Sequence, residues 1–180
     1  MLELFNSFLE NDLLKLINQP ERWDSLLINR RKPHTFRVFT QLEDGYRVCL
    51  HKFNVCDTYE AFMHPHPWPA AFMILSGKYK MKIGYSTEGR EDKQPVDVST
   101  MIMSKYSSYE ITNPLTWHSV IPLETTYTVM INSSPWDIDY AHSDVKTTKG
   151  KDLEKMSESE VKRHMCLFGD LLTDYLGRYE

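Results

Sequence analysis

Apolar residues at the start of the chain recur at steps of three and four, which predicts an amphipathic helix over residues 2–17. Pro20 interrupts the pattern and suits the first turn of a second short helix, PERWDSLL. Near the other end a second apolar stripe has the helical period, with acidic residues early, as the helix dipole prefers. The sequence therefore predicts helical structure over residues 1–30 and a C-terminal helix over about residues 152–177.

From residue 34 onward the period changes to two, which is typical of strands. HTFRVFTQ and YRVCLHKF form a predicted hairpin around the turn Asp44-Gly45. In KYKMKIGY the lysines occupy one face, and the other face carries Tyr79, Met81, Ile83 and Tyr85. The polar stretch over residues 86–95 predicts a loop, and further short strands are predicted over residues 97–103, 107–112, 117–121 and 125–132. Many short strands without intervening helices predict an all-β barrel or sandwich over about residues 34–148.

Length and charge narrow the class of protein further. A chain of 180 residues fits a single domain spanning residues 1–180. The net charge of −4 argues against a nucleic-acid partner, and no apolar run is long enough to cross a membrane. The N-terminus lacks the basic region of a signal peptide, and three cysteines without a CxxC pair fit a reducing compartment. We therefore expect a cytoplasmic protein that acts on a small molecule.

The segment FMHPHPWPAAFMILSG carries the most informative chemistry. In an extended chain His64 and His66 share a face, so their imidazoles can converge on one ion. His64, His66 and Trp68 each precede a proline, which favours extended backbone and removes alternate N–H donors. The segment is therefore expected at a rim or edge of a sheet. His118, on a later strand, is the candidate third ligand, whereas His34, His142 and His164 are expected at the surface or its boundary.

These residues resemble the first motif of the cupin superfamily. His64-x-His66 and Gly77 stand at the motif's spacing, and Ala70 occupies the position of its usual Glu. Of the second motif, Pro-x-Gly-x-x-His, the match is His118 alone. The resemblance covers about residues 34–135. It implies a double-stranded β-helix (jelly-roll) barrel with flanking N- and C-terminal helices.

A cupin site without the Glu resembles the three-histidine iron sites of the cysteine and thiol dioxygenases. The resemblance implies one divalent metal ion held by His64, His66 and His118, with Fe(II) favoured and Ni, Mn and Zn left open. It also implies that Arg37, one hairpin before the HxH pair, binds a substrate carboxylate, with Arg47 as the second candidate. An outward-facing surface ion pair is the competing interpretation of Arg37. A homodimer is expected from the resemblance alone.

Other residues near the proposed ligands have two interpretations each. His51 shares a strand face with Arg47 and Cys49, so a role in the pocket stands beside a purely structural one. Trp68 and Trp117 each lie close to a ligand and either wall the site or fill the core.

Three functions remain open at this point. The leading one is an Fe(II) dioxygenase acting on a small carboxylate- or thiol-bearing substrate. A Zn- or Ni-dependent isomerase or lyase is the second, and a non-catalytic cupin that binds a small ligand is the third. The missing Glu favours the third function, and the proline-stiffened HPH pair argues against it.

Overall fold

Two antiparallel sheets make up most of the computed structural model, which describes residues 1–86, 95–141 and 153–178. Within these residues the strands are β1 (Asp24–Ile28), β2 (Thr35–Gln41), β3 (Arg47–Phe53), β4 (His64–Pro65), β5 (Ala70–Ser76), β6 (Lys78–Tyr85), β7 (Val96–Ser104), β8 (Ser108–Ile111), β9 (Thr116–Pro122) and β10 (Thr126–Asn132). One sheet has the order β1-β2-β3-β10-β5-β8, and the other has the order β4-β9-β6-β7. Strand β10, the last of these, thus lies between β3 and β5 and pairs with both, so strands from early and late parts of the chain are neighbours in the sheet. This is the jelly-roll barrel of the cupin type, and the predicted fold class is confirmed.

The helices cover the outer face of the larger sheet. They are α1 (Leu2–Asn11), α2 (Leu13–Ile17) and α3 (Glu158–Leu176). Their apolar stripes, including the fully buried Phe5 and Phe168, pack on alternate strand residues such as Leu50 and Ile131 in one core cluster. Ser157 begins α3 with a capping box, since its hydroxyl accepts from the Glu160 N–H and the Glu160 carboxylate accepts from the Ser157 N–H.

Strand alternation divides the side chains of the larger sheet between two buried environments. On β3, Val48 and Leu50 face the helices, whereas Cys49 packs with Met130 in a separate cluster on the opposite face. Arg47 and His51 share the face of Cys49, because side chains two residues apart on a strand point the same way. One face of the larger sheet is therefore covered by the helices, and its other face lines the interior of the barrel.

The predicted second helix is wrong. Residues Pro20–Arg22 form a single 3₁₀ turn, and the rest of PERWDSLL enters β1, inside the region expected to be helical. The reason is tertiary, because β1 pairs in register with β2 and so satisfies backbone groups along the edge of that strand. At the other end, the last described strand is β10 and α3 begins at Glu158 rather than near residue 152. Residues 142–148 of the predicted barrel lie outside the described residues.

The hairpin around Asp44-Gly45 is confirmed, with β2 and β3 paired from Thr35 opposite Phe53 to Gln41 opposite Arg47. On β6 the predicted buried face holds for Tyr79 and Met81, but Tyr85 is 38% exposed. A register shift against β7 between Ile83 and Gly84 turns the end of the strand outward. Most of the predicted loop over residues 86–95 lies outside the described residues.

Gly77 connects β5 to β6 with a φ of +85°, a left-handed conformation that favours glycine. An added Cβ would lie 2.5 Å from the Thr125 carbonyl oxygen and 2.8 Å from the Thr126 Cα. The glycine of the first cupin motif is therefore required by close backbone packing as well as by its φ.

In the described part of the chain, no helix is both long and apolar enough to cross a membrane.

Candidate metal centre

The HPHPWP segment lies at the edge of the smaller sheet, as its prolines predict. The two-residue strand β4 pairs with β9 alone, and the register places His64 directly opposite His118. The segment's carbonyl groups accept hydrogen bonds from the chain beyond β10, where the Trp136 N–H donates to Pro67 O at 3.0 Å. The indole Nε1 of Trp136 donates to His66 O at 3.1 Å. These two hydrogen bonds from Trp136 hold the backbone at His66 and Pro67 in place.

The three predicted ligands converge on one point. The ligand nitrogens of His64, His66 and His118 all lie within 4.8 Å of one another. The closest pair is His66 Nε2 and His118 Nε2, at 2.8 Å. Within the described residues no Asp or Glu joins this group, and the buried Ala70 stands where the cupin motif has its Glu. The geometry is that of a three-histidine group without a carboxylate.

All three imidazoles are held neutral by their surroundings. Burial lowers the pKa of His64 to about 4, against the opposing effect of a hydrogen bond with Phe62 O, and the Arg37 charge lowers it further. Burial, followed by the charges of neighbouring groups, places the pKa values of His66 and His118 well below 6.5. Neutral imidazole is the form that ligates metal ions, so the group needs no proton release near pH 7.

A cavity of about 480 Å³ opens from the histidines into the barrel. Aromatic and aliphatic side chains form its walls, among them Phe72, whose ring centroid lies 5.6 Å from that of His66, and Tyr109. Tyr109 accepts a hydrogen bond from the Tyr79 hydroxyl at 3.0 Å. The volume is within the range of small-molecule sites.

The cationic residues of the lining are arginines. Arg37 and Arg47 project from β2 and β3, and the β1–β2 connection contributes Arg30 and Arg31. No Asp or Glu is among the described residues that line the cavity. The described part of the lining therefore carries positive charge, which favours anions.

Arg37 lies inside the barrel, so the interpretation as an outward-facing surface ion pair is wrong. Its Nε donates to His51 Nε2 at 2.9 Å. Because Nε2 accepts, the proton of the neutral His51 ring is on Nδ1, which is buried and without a partner among the described residues. Burial, with the Arg37 charge next, lowers the pKa of His51 well below 6.5. His51 thus anchors the arginine as a neutral acceptor.

Arg47 reaches the cavity from the same face of β3. Its Nε donates to Asn132 Oδ1 at 3.2 Å, and its guanidinium carbon lies 4.6 Å from the centroid of a Trp68 ring. Trp68 lies beside His66, with their ring centroids 6.3 Å apart. Trp68 therefore walls the site, as one of its two interpretations predicted.

Trp117 fills the core, in agreement with the second of its two interpretations, whereas the expectation for His164 is wrong. Trp117 is buried away from the cavity and donates from Nε1 to Ser86 Oγ at 2.6 Å, because its neighbour His118 takes the inward face of β9. His164, expected at the surface or its boundary, is 5% exposed, because it stacks on Phe36 with their ring centroids 5.5 Å apart. His34 is half-buried outside the cavity lining, and His142 lies outside the described residues.

Trp136 is the main contributor that sequence reasoning missed. It lies 70 residues from His66 along the chain, in a stretch without regular structure. No periodicity or spacing could have related the two residues. A tryptophan in a polar segment was the available signal.

No protein-family model matches the sequence, and no curated protein matches it. Among solved structures, the hydroxypropylphosphonic acid epoxidase from S. wedmorenis is similar with a TM-score of 0.48 and 11% identity, covering 63% of this chain and 56% of that chain. An Fe(II) form of HppE gives a TM-score of 0.49 and 13% identity, covering 63% and 57%. CapF with the inhibitor 3-isopropenyl-tropolone is similar with a TM-score of 0.45 and 16% identity, and the match covers 61% of this chain and 30% of that chain.

The chain thus matches little more than half the length of these epoxidase structures. The assignment to the cupin-type jelly roll rests on the interleaved strand order, and the candidate metal centre rests on the three histidines.

Proposed function

We propose that this protein is a mononuclear metal-dependent enzyme, an Fe(II) dioxygenase acting on a small carboxylate- or thiol-bearing substrate. The observation that carries the proposal is the convergence of three neutral histidines, with no carboxylate among the described residues near them, in a cavity that also holds the inward-facing Arg37. Three neutral ligands leave the full charge of a divalent ion available to an anionic substrate.

The donor set fits a divalent metal ion. Two metal–nitrogen bonds of ~2.1 Å at a right angle place their nitrogens about 3.0 Å apart. The 2.8 Å between His66 Nε2 and His118 Nε2 is close to that value. A bound ion would supply a Lewis acid with open coordination positions and, if it is iron, redox chemistry with O2.

The protein's own side chains would bind and orient the substrate. The Arg37 guanidinium offers the planar fork that pairs with a carboxylate, and the His51 contact holds one end of that fork in place. The apolar walls, including Phe72 and Val120, exclude water from the space between the arginine and the histidines. Exclusion of water strengthens the electrostatic attraction between the guanidinium and a bound anion.

Metal content tests the first part of the proposal. Protein produced in iron-supplemented medium should carry close to one metal ion per chain, measured by elemental analysis. His118→Ala should lose most of that metal, because it removes one of three ligands. The matched control is His34→Ala, which lies outside the cavity lining and should keep its metal. Equal metal content in the two variants would contradict the assignment.

Oxygen consumption tests the second part. The Fe(II)-loaded protein should consume O2 with at least one member of a panel of small thiols, mercapto acids and β-diketones. Arg37→Gln should mainly raise KM if the guanidinium binds substrate and transition state equally well. A metal-loaded protein that consumes no O2 with the whole panel would favour an isomerase or lyase. A protein that retains no metal would favour a non-catalytic binding protein.

A further inference from the structure

Two cavity arginines, Arg37 and Arg47, have no anionic partner among the residues that the structure describes. Among the described residues, the only acceptor recorded for the Arg37 side chain is a neutral histidine, and Arg47 donates to a neutral amide. No salt bridge of the described residues includes either side chain. Both guanidiniums nevertheless line a cavity whose described lining holds no carboxylate.

Such an arrangement is costly unless a ligand supplies the negative charge. Removing a guanidinium from water without pairing it with an anion is strongly unfavourable. Arg37 and Arg47 are half-buried, and each guanidinium can pair with one carboxylate, so together they offer two carboxylate positions. A substrate with one negative charge would leave one guanidinium uncompensated.

The two guanidiniums approach the histidines from different places. Arg37 pairs across the sheet with His51, and Arg47 lies four residues before His51 on β3. The two side chains therefore start roughly 13 Å apart along the strand direction. Arg37 ends against His51, whereas Arg47 ends over Trp68. Trp68, beneath Arg47, has its ring centroid 6.3 Å from that of His66, and both arginines line the same cavity as the three histidines. One anionic group at each arginine would therefore place the atoms between them near the histidines.

We infer that the cavity binds a small dicarboxylate, with one carboxylate on Arg37 and the other on Arg47, so that the intervening carbons lie beside the three-histidine group. The inference narrows the substrate class of the proposed function and rests on it for the reaction. The binding itself depends on the arginines, so it is measurable in protein without metal. Failure of the proposed metal chemistry and failure of the dicarboxylate site are thus distinguishable.

The test is isothermal titration calorimetry on the full chain, both metal-free and loaded with redox-inactive Zn²⁺. The probes are succinate and glutarate, with butyrate as the singly charged match and methylphosphonate as a single doubly charged group. The variants are Arg37→Gln and Arg47→Gln, with Arg22→Gln on the exposed 3₁₀ turn as the matched control. Arg47→Lys keeps the charge without the planar fork and covers the case in which Arg47→Gln fails to fold.

One of the two dicarboxylates should bind metal-free protein at least about tenfold more tightly than butyrate, since each charge-assisted pair adds substantially to affinity. Arg37→Gln and Arg47→Gln should each weaken dicarboxylate binding by at least about tenfold, and Arg22→Gln should leave it unchanged. Arg47→Lys should retain part of the preference. Equal affinities for dicarboxylates and butyrate would overturn the inference. So would methylphosphonate that binds as tightly as the better dicarboxylate and depends on both arginines.

Discussion

The histidines with lowered pKa values should make the metal-free protein sensitive to mild acid. The pKa of His64 is about 4 in the folded chain and about 6.5 when exposed. Between these values the unfolded chain binds the proton that the folded chain excludes, so stability falls as the pH falls. From this difference the free energy of unfolding loses about 2 kcal/mol at pH 5 through His64 alone, and almost nothing at pH 7. His51, His66 and His118 contribute losses of the same sign.

Urea denaturation in the presence of EDTA, at pH 7 and pH 5, measures this loss. His64→Asn removes one titrating group, so its loss between the two pH values should be about 2 kcal/mol smaller than that of the native sequence. Comparing the two pH dependences cancels the surface carboxylates, which both proteins share. A Zn²⁺-loaded sample should resist acid better, because bound metal competes with protons for the same nitrogens. Identical pH dependence in the two proteins would refute a neutral, desolvated His64.

Gly77→Ala should lower the free energy of unfolding by more than Gly45→Ala, as measured by urea denaturation. Both glycines have a φ near +85°, where alanine costs about 1–2 kcal/mol. The two positions differ in the space for an added Cβ, because its nearest neighbouring atom is 3.8 Å away at Gly45 and 2.5 Å away at Gly77. Equal losses would contradict the backbone clash. Ser157→Ala should cost about 1 kcal/mol by removing the helix cap, and thermal unfolding at an unchanged midpoint would argue against that contribution.

The dicarboxylate-binding experiments and the acid denaturation of the His64 variant address different residues of one site. In the two proposals, Arg37 and Arg47 would select the anions that bind in the cavity, whereas the histidines would hold the metal ion. A protein that binds dicarboxylates but retains no metal would be a binding protein with an intact anion site. Retention of metal without dicarboxylate binding would instead direct the substrate search to neutral or singly charged compounds.

The sequence by itself determined the strands and the histidine pair. Period-two alternation predicted the hairpin of β2 and β3. The prediction holds because the two strands pair without a register shift, so the alternation of their side chains is kept along their whole length. The prolines after His64 and His66 determined the extended edge segment, since proline acts on the backbone of its immediate neighbours. These are local effects, and local effects are readable from neighbouring residues.

Only the tertiary structure decided the direction of Arg37 and the fate of PERWDSLL. Helices cover one face of the larger sheet and the cavity lies on the other, so alternation along FRVF does not distinguish an inward side chain from an outward one. PERWDSLL became a turn and a strand because the edge of β2 was available for pairing. The meeting of His66 with His118, 52 residues later, likewise required the register of β4 against β9. Contacts between distant segments follow from how the sheets pair and pack, which the pattern of any one segment does not contain.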